Sequence, residues 1–329
     1  MDIVILLFGL ALLVIGGELV VSNGVKVAEF FRVSPLIIGL TIVAIGTSLP
    51  ELAVGIDGMR RGVGDIVLGN MTGTDIVNVL FILGLSALIR PLAVPPGVLS
   101  VDLPMMTISS AVVLFLAWDG YLSRIDGIIL LVGGLVYMIF IITHARRRDN
   151  KIVVDETKTE TDLSEEAARV LEGGPSRKDV VISSVLLIIG LATIIFGADQ
   201  MLRGAVAIAY DFGLSETLVG LTIIAIGTSA PELVTTIIAT IKDERGLAFG
   251  NLVGSSTLNL TLILGPALLF SQHAVPVDPK LTHLSMPLMV LVGLACIPVF
   301  LTGRRISRLE GGLFVAAYAA YLSYTIATA

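Results

Sequence analysis

Residues 37–52 (IIGLTIVAIGTSLPEL) and 218–233 (LVGLTIIAIGTSAPEL) are near copies, identical at 12 of 16 positions and offset by 181 residues. The same offset, without a gap, pairs GLALLVIGGELVV (9–21) with GLATIIFGADQML (190–202). It also pairs GNMTGTDIVNVLFILG (69–84) with GNLVGSSTLNLTLILG (250–265). Three blocks in one register make the chain an internal duplication. Both halves must then solve the same problem, because each buries a proline and a glutamate in a long apolar run.

The solvent for those runs is lipid. The chain is 55% hydrophobic and 15% charged, with a mean hydropathy of +0.96, where a soluble domain carries roughly a quarter charged residues. Apolar runs of spanning length, about 20 residues, occur at 3–23, 35–59, 66–89, 98–118, 125–144, 180–202, 216–241, 247–270, 283–302 and 307–328. The expected fold is an all-α integral membrane protein with ten transmembrane helices as two inverted five-helix repeats. Residues 1–144 form the first repeat, 145–178 a hydrophilic cytoplasmic linker and 179–329 the second. An odd number of spans sends the second half into the membrane from the opposite side, so a pseudo-two-fold axis lies in the membrane plane.

Placing the N-terminus outside leaves 16 lysines and arginines in inner loops and 5 in outer ones. The positive-inside rule then puts both termini outside a plasma membrane. Met1-Asp2 offers no basic leader, so the first run reads as a membrane helix. Within the linker, Leu163–Leu171 has the pattern of a short amphipathic helix that Ser164 would cap. Cys296 is the single cysteine, which excludes an intrachain disulfide.

Pro50 has no N–H for the Gly46 carbonyl, and its ring presses on that turn. The helix is expected to break across Ala44–Ser48, freeing carbonyls that lipid tolerates only when something else satisfies them. Thr47 and Ser48 add hydroxyls at the break, and Glu51 adds a carboxylate. Ala225, Gly227, Thr228, Ser229, Pro231 and Glu232 repeat the set. These hard oxygen donors suit Ca²⁺, and no cysteine or histidine nearby favours zinc or copper. A capping box, with Ser48 as N-cap and Glu51 reaching back, fits the same letters. Its roughly 1 kcal/mol does not offset the ~2.5–3.5 kcal/mol that a mid-membrane charge costs, so a cation site is the stronger reading. Thr74 and Asn78 share a helix face, as do Ser255 and Asn259. Their amides are either further ligands or interhelical hydrogen-bonding groups.

G-T-S-x-P-E followed by G-N-x-x-G-[ST]-x-x-x-N, twice, resembles the paired alpha repeats of the calcium/cation antiporter superfamily. The prokaryotic sodium/calcium exchangers are the subgroup to which it is most similar. The resemblance implies Glu51 and Glu232 as central Ca²⁺ ligands, with oxygens from Thr47, Ser48, Thr228 and Ser229. It further implies Ala44 and Ala225 as backbone donors to Na⁺, and Thr74, Asn78, Ser255 and Asn259 as completing flanking sodium sites. The first and sixth helices would slide across this core. The transported ions would be Ca²⁺ and Na⁺ (or H⁺ as counter-ion), with the lipid bilayer as surroundings. No cofactor, enzyme activity, nucleic acid or obligatory protein partner is implied.

Two features depart from the family pattern. Asn259 stands where potassium-dependent members carry aspartate, and Asp75 stands where many relatives carry asparagine. H⁺- or K⁺-coupled exchange is the nearest alternative, then a cation channel. Gly62-Val63-Gly64-Asp65 spells an intramembrane-protease motif but has no counterpart 181 residues on, so Asp65 reads as a helix cap.

Overall fold

The computed structural model describes residues 1–95, 97–156, 177–212 and 225–328, with side chains described except at 144–156, 225, 226 and 328. The first half contains α1 (Asp2–Phe31), then α2 (Pro35–Thr47) and α3 (Leu49–Arg61), bent by 43° at Ser48. There follow α4 (Gly64–Ile89), α5 (Val98–Asp119) and α6 (Arg124–Glu156). The second half contains α7 (Arg177–Asp211), α8 (Ala225–Thr228), α9 (Ala230–Ile241), α10 (Arg245–Leu269), α11 (Leu281–Leu301) and α12 (Arg308–Thr328). Among the described residues, seven helices are long and apolar enough to cross a membrane, or eight if α2 and α3 form one bent span. The first part of the expected 216–241 span lies outside the described residues.

Helix geometry departs from the sequence expectation in three places. The α6 helix runs on to Glu156, twelve residues past the apolar run, because ARRRDNKIVVDE holds neither glycine nor proline to stop it. Residues 157–176, including the expected helix at Leu163–Leu171, lie outside the described residues. Asp65 is not a cap: α4 begins at Gly64 after Val63, and Asp65 sits in the first turn, where its charge still favours the helix dipole. Two minimal antiparallel ribbons also interrupt the helices. β1 (Leu92–Ala93) pairs with β4 (Arg305–Ile306), and β2 (Tyr121–Leu122) pairs with β3 (Val275–Pro276). Each ribbon ties a loop of one half to a loop of the other.

Burial separates the helices into an inside and an outside. The most apolar windows of α4 and α10 are 72% and 83% buried, against 28% and 33% for α1 and α7. The largest apolar cluster runs through α4, α5, α10 and α11. A second cluster, which includes Leu13, Val20, Leu187 and Ile194, joins α1 to α7 and takes in Ile38 and Val43 of α2 and Ala230 of α9. Exposed Ile3, Leu7, Ile128, Val132 and Val136 would be costly in water and suit acyl chains. Trp118, exposed at the end of α5, suits the membrane interface.

Close backbone approach holds these layers together, since apolar side chains gain little by leaving lipid for one another. α1 and α7 run antiparallel with glycines at the contact. A Cβ on Gly16 would stand 2.8 Å from the Gly190 carbonyl oxygen, and one on Gly197 would stand 3.0 Å from that of Gly9. A Cβ on Gly250 would stand 2.4 Å from the Leu36 carbonyl oxygen and 2.8 Å from the Gly39 Cα, so α10 lies directly on α2. Overpacking of this kind costs about 1–3 kcal/mol. Gly16→Leu should therefore lower the melting temperature of detergent-purified protein, whereas Gly133→Ala, with no atom within 4 Å of the added Cβ, should leave it unchanged.

Candidate cation-binding site

Ser48 (φ −89°, ψ 5°) and Ser229 (φ −85°, ψ 7°) leave helical geometry at equivalent points, and each precedes a helix with proline in its first turn. The interruption is narrower than expected. Ala44–Thr47 stays helical, because proline near the start of a new helix needs no N–H partner. The Ala44 carbonyl is consequently engaged, accepting the Ser48 N–H at 3.1 Å and the Thr47 hydroxyl at 3.4 Å. Ser48 makes no capping hydrogen bond; its hydroxyl donates across the molecule to Glu232 Oε1 at 3.3 Å. The capping box of the sequence is thus not formed.

Glu51 and Glu232 are both fully buried, and Glu51 lies near enough to Glu232 to feel its charge. Thr47, Ser48 and Ser255 surround the Glu232 carboxylate, with Thr47 Oγ1 3.3 Å from Ser255 Oγ. Thr74, Asn78, Ser229 and Asn259 are buried as well, Thr228 is partly so, and Ala225 opens α8. Several oxygens have no hydrogen-bond partner among the described residues: both of Glu51, Glu232 Oε2, Asn78 Oδ1, Asn259 Oδ1, Thr74 Oγ1 and Ser229 Oγ. A buried polar oxygen left alone is costly, and an ionised carboxylate far more so. Such an oxygen set is the kind a hard cation satisfies, at 6–8 ligands for Ca²⁺. No group of three or more histidine, cysteine, aspartate or glutamate side chains gathers among the described residues. Two carboxylates with neutral oxygens around them are therefore what this region offers.

Two residues outside the expected ligand set organise the breaks. Thr47 donates to Asn251 Oδ1 at 3.1 Å, and Thr228 donates to Asn70 Oδ1 at 3.5 Å. Both partners of one bond are 181 residues from those of the other, so one bond is made twice with the halves exchanged. Asn251 also donates to the Glu232 carbonyl at 3.3 Å and to Thr236 Oγ1 at 3.1 Å. The available sequence signal was the asparagine directly after Gly69 and after Gly250, recurring in register. Asn78 donates to Ser256 Oγ at 3.4 Å, which favours interhelical bonding for its NH₂ while leaving its Oδ1 free. The Ser256 hydroxyl stands beside Asp75, the residue that the repeat makes its counterpart.

Among the described residues, five π-helical turns lie within the spans, and three fall on the repeated motifs: Gly39–Val43, Val77–Leu83 and Asn259–Ile263. Such turns rotate the following residues and are frequent at functional sites. They were not legible from hydrophobic periodicity, which a single extra residue per turn barely alters. At the α9–α10 turn, the Arg245 hydrogen bonds hold the Asp243 carboxyl below its usual range, while burial and then the nearby Glu29 push Glu244 up.

Asn251 carries three side-chain hydrogen bonds at full burial, whereas Asn70 is only partly buried. Stranding a buried donor or acceptor costs about 1–3 kcal/mol. Asn251→Ala should therefore destabilise the detergent-solubilised protein more than Asn70→Ala, as read from paired melting curves.

The family described as "Sodium/calcium exchanger protein" matches residues 1–143 and 182–327. The chain is 35% identical over 292 residues to the Inner membrane protein YrbG of Escherichia coli (strain K12), covering 88% of this chain and 86% of that one. It is 30% identical over 346 residues to the Sodium/calcium exchanger MaX1 of Methanosarcina acetivorans, covering 98% and 97%. Its structure is similar to that of the sodium-calcium exchanger NCX_Mj, with a TM-score of 0.81, 28% identity and coverage of 98% and 97%. With the matched segments spanning both halves and both broken helices, the chain is a member of the sodium/calcium exchanger family of membrane antiporters.

Proposed function

We infer that this chain exchanges Ca²⁺ for Na⁺ across the plasma membrane by alternating access, with net charge movement. The observation that carries the reading is the meeting of Glu51 and Glu232, buried on two separate broken helices among oxygen donors. Glu51 and Glu232 are the central Ca²⁺ ligands, with Thr47, Ser48, Thr228 and Ser229 supplying oxygens. Thr74, Asn78, Ser255 and Asn259 complete flanking sodium positions with the Ala225 carbonyl and the Ala44 carbonyl, where the ion would replace the 3.4 Å bond from the Thr47 hydroxyl.

The full architecture in this reading is ten transmembrane helices as two inverted five-helix repeats, both termini outside. Several contacts support a pseudo-two-fold relation between halves. They are the exchanged Thr47–Asn251 and Thr228–Asn70 bonds, the β1–β4 and β2–β3 ribbons, and the Gly9–Gly197 and Gly16–Gly190 approaches. Each of these contacts joins one half to the other and has a like contact with the halves exchanged, as an axis between the halves requires.

Two carboxylates neutralise one Ca²⁺, whereas three Na⁺ on the same pair leave one positive charge. A three-for-one cycle therefore moves charge, and moving one elementary charge through the potential is worth about 2.3 kcal/mol per 100 mV. Asp75, buried beside Ser256 with no aligned hydrogen bond to its oxygens, supports a second reading in which H⁺ or K⁺ couples instead.

Purified protein in liposomes, given outward Na⁺, K⁺ or H⁺ gradients in turn, separates these readings. Calcium uptake should follow the Na⁺ gradient alone and disappear in Glu51→Gln and in Glu232→Gln. Uptake driven by H⁺ or K⁺ would assign the counter-ion otherwise, and gradient-independent flux would indicate a channel. The Na⁺-driven flux should also accelerate when the potential favours outward movement of positive charge from the Na⁺-loaded side; a voltage-insensitive flux would rule out three-for-one exchange.

A further inference from the structure

Glu18 lies in α1 and Lys242 follows α9, and the two form an ion pair that Ser22 completes by accepting from Lys242 at 2.8 Å. Beside it, α1 rests closely on α9, since a Cβ on Gly17 would stand 2.6 Å from the Ile238 side chain and 3.2 Å from Val234. The repeat offset of 181 carries Glu18 to Asp199 in α7 and Lys242 back to Arg61 at the end of α3. The same two charges are thus present on the other side of the pseudo-symmetric molecule. There they are not joined. Asp199 pairs with Arg203 on its own helix at 2.9 Å, and Arg61 pairs with Asp57 on its own helix at 2.8 Å.

We propose that Glu18–Lys242 and Asp199–Arg61 are alternating ionic latches between the α1/α7 pair and the broken-helix core, one closed when the other is open. The proposal rests on the alternating-access reading above. α1 and α7 pack on each other backbone to backbone through their glycines, and they meet Ile38, Val43 and Ala230 of the broken helices through apolar side chains, so the pair can travel together over that face. Movement that drew α7 onto α3 would carry Asp199 toward Arg61 while pulling Glu18 off Lys242. The local pairs do not obstruct this exchange. Asp57, Arg61, Asp199 and Arg203 carry two charges of each sign and can form a four-membered network across the closed interface.

The exposure of the groups fits a latch that must release. Glu18 is 52% and Lys242 35% exposed at the side chain, and the four charges on the other side are each at least 47% exposed. Exposed ion pairs of this kind bias an equilibrium by at most about fivefold. A fully buried pair would lock one conformer, since breaking it strands two charges. These latches select between conformers without trapping either.

The test uses the full chain in liposomes with two double-cysteine variants, Glu18→Cys/Lys242→Cys and Arg61→Cys/Asp199→Cys, and a short bis-methanethiosulfonate, which links two thiols through reducible disulfides. Cys296 is buried and stays out of reach. Either cross-link should arrest Na⁺-dependent Ca²⁺ exchange, reduction should restore it, and the two links should never coexist in a four-cysteine protein. Without cross-linker, Glu18→Lys should slow exchange about two- to fivefold, and Glu18→Lys/Lys242→Glu should recover it. Coexisting links, exchange at the unlinked rate in either linked variant, or failure of the 61–199 link under every ion condition would overturn the latches. An unmodified chain without Na⁺-dependent exchange would instead remove the transport reading and the latches with it.

Discussion

Two carboxylates sit at full burial at two helix breaks, and the surrounding structure is arranged around the cost of keeping them there. Neither can be left ionised and alone: the effective penalty for an uncompensated ion in a low-dielectric interior is several kcal/mol. Hydroxyls from Thr47, Ser48 and Ser255 surround Glu232, while both oxygens of Glu51 have no hydrogen-bond partner among the described residues. The two glutamates thus differ despite near-identical motifs. Glu232 is partly satisfied by the protein, and in the proposed cation site Glu51 would depend more heavily on the ion.

Holding the breaks open in lipid requires partners for the backbone and hydroxyl groups that a continuous helix would satisfy itself. Asn251 supplies them on one side by linking the Thr47 hydroxyl, the Glu232 carbonyl and Thr236. That reach is possible because α10 lies against α2 without side chains between them. Gly250 and Gly39 allow an approach that any Cβ would block. Small residues and site geometry are therefore one design: removing a glycine would push the asparagine out of reach of the threonine it orients.

Much of this was legible in the sequence because it is written twice. The GTSxPE blocks located both breaks, and the repeat register foretold that residues from opposite halves would meet. Other features left weak traces. The break is confined to one residue because proline at a helix start demands less than proline within one, a distinction that depends on where the new helix begins. Asn70 and Asn251 were visible as recurring letters, but their role depends on hydrogen bonds between residues 158 and 204 apart in the chain. The α6 extension was missed because hydropathy marks where lipid ends and not where a helix does.

The duplication also explains how a near-symmetric sequence yields an asymmetric molecule. Gly17 is matched by Ala198, Ser22 by Arg203 and Ile238 by Asp57, so the two faces that α1 and α7 offer the core are not equivalent. One holds a single ion pair beside an apolar contact; the other gathers four charges in two local pairs. If the faces were identical, closing one and opening the other would be isoenergetic, and the ions alone would set the balance. Under the alternating access proposed above, unequal charge would give each conformer its own intrinsic energy. The differences are small because exposed pairs contribute only about 0–1 kcal/mol each. A transporter gains from that scale: a bias much larger than the binding energy of its ions would hold the protein on one side, and transport would stop.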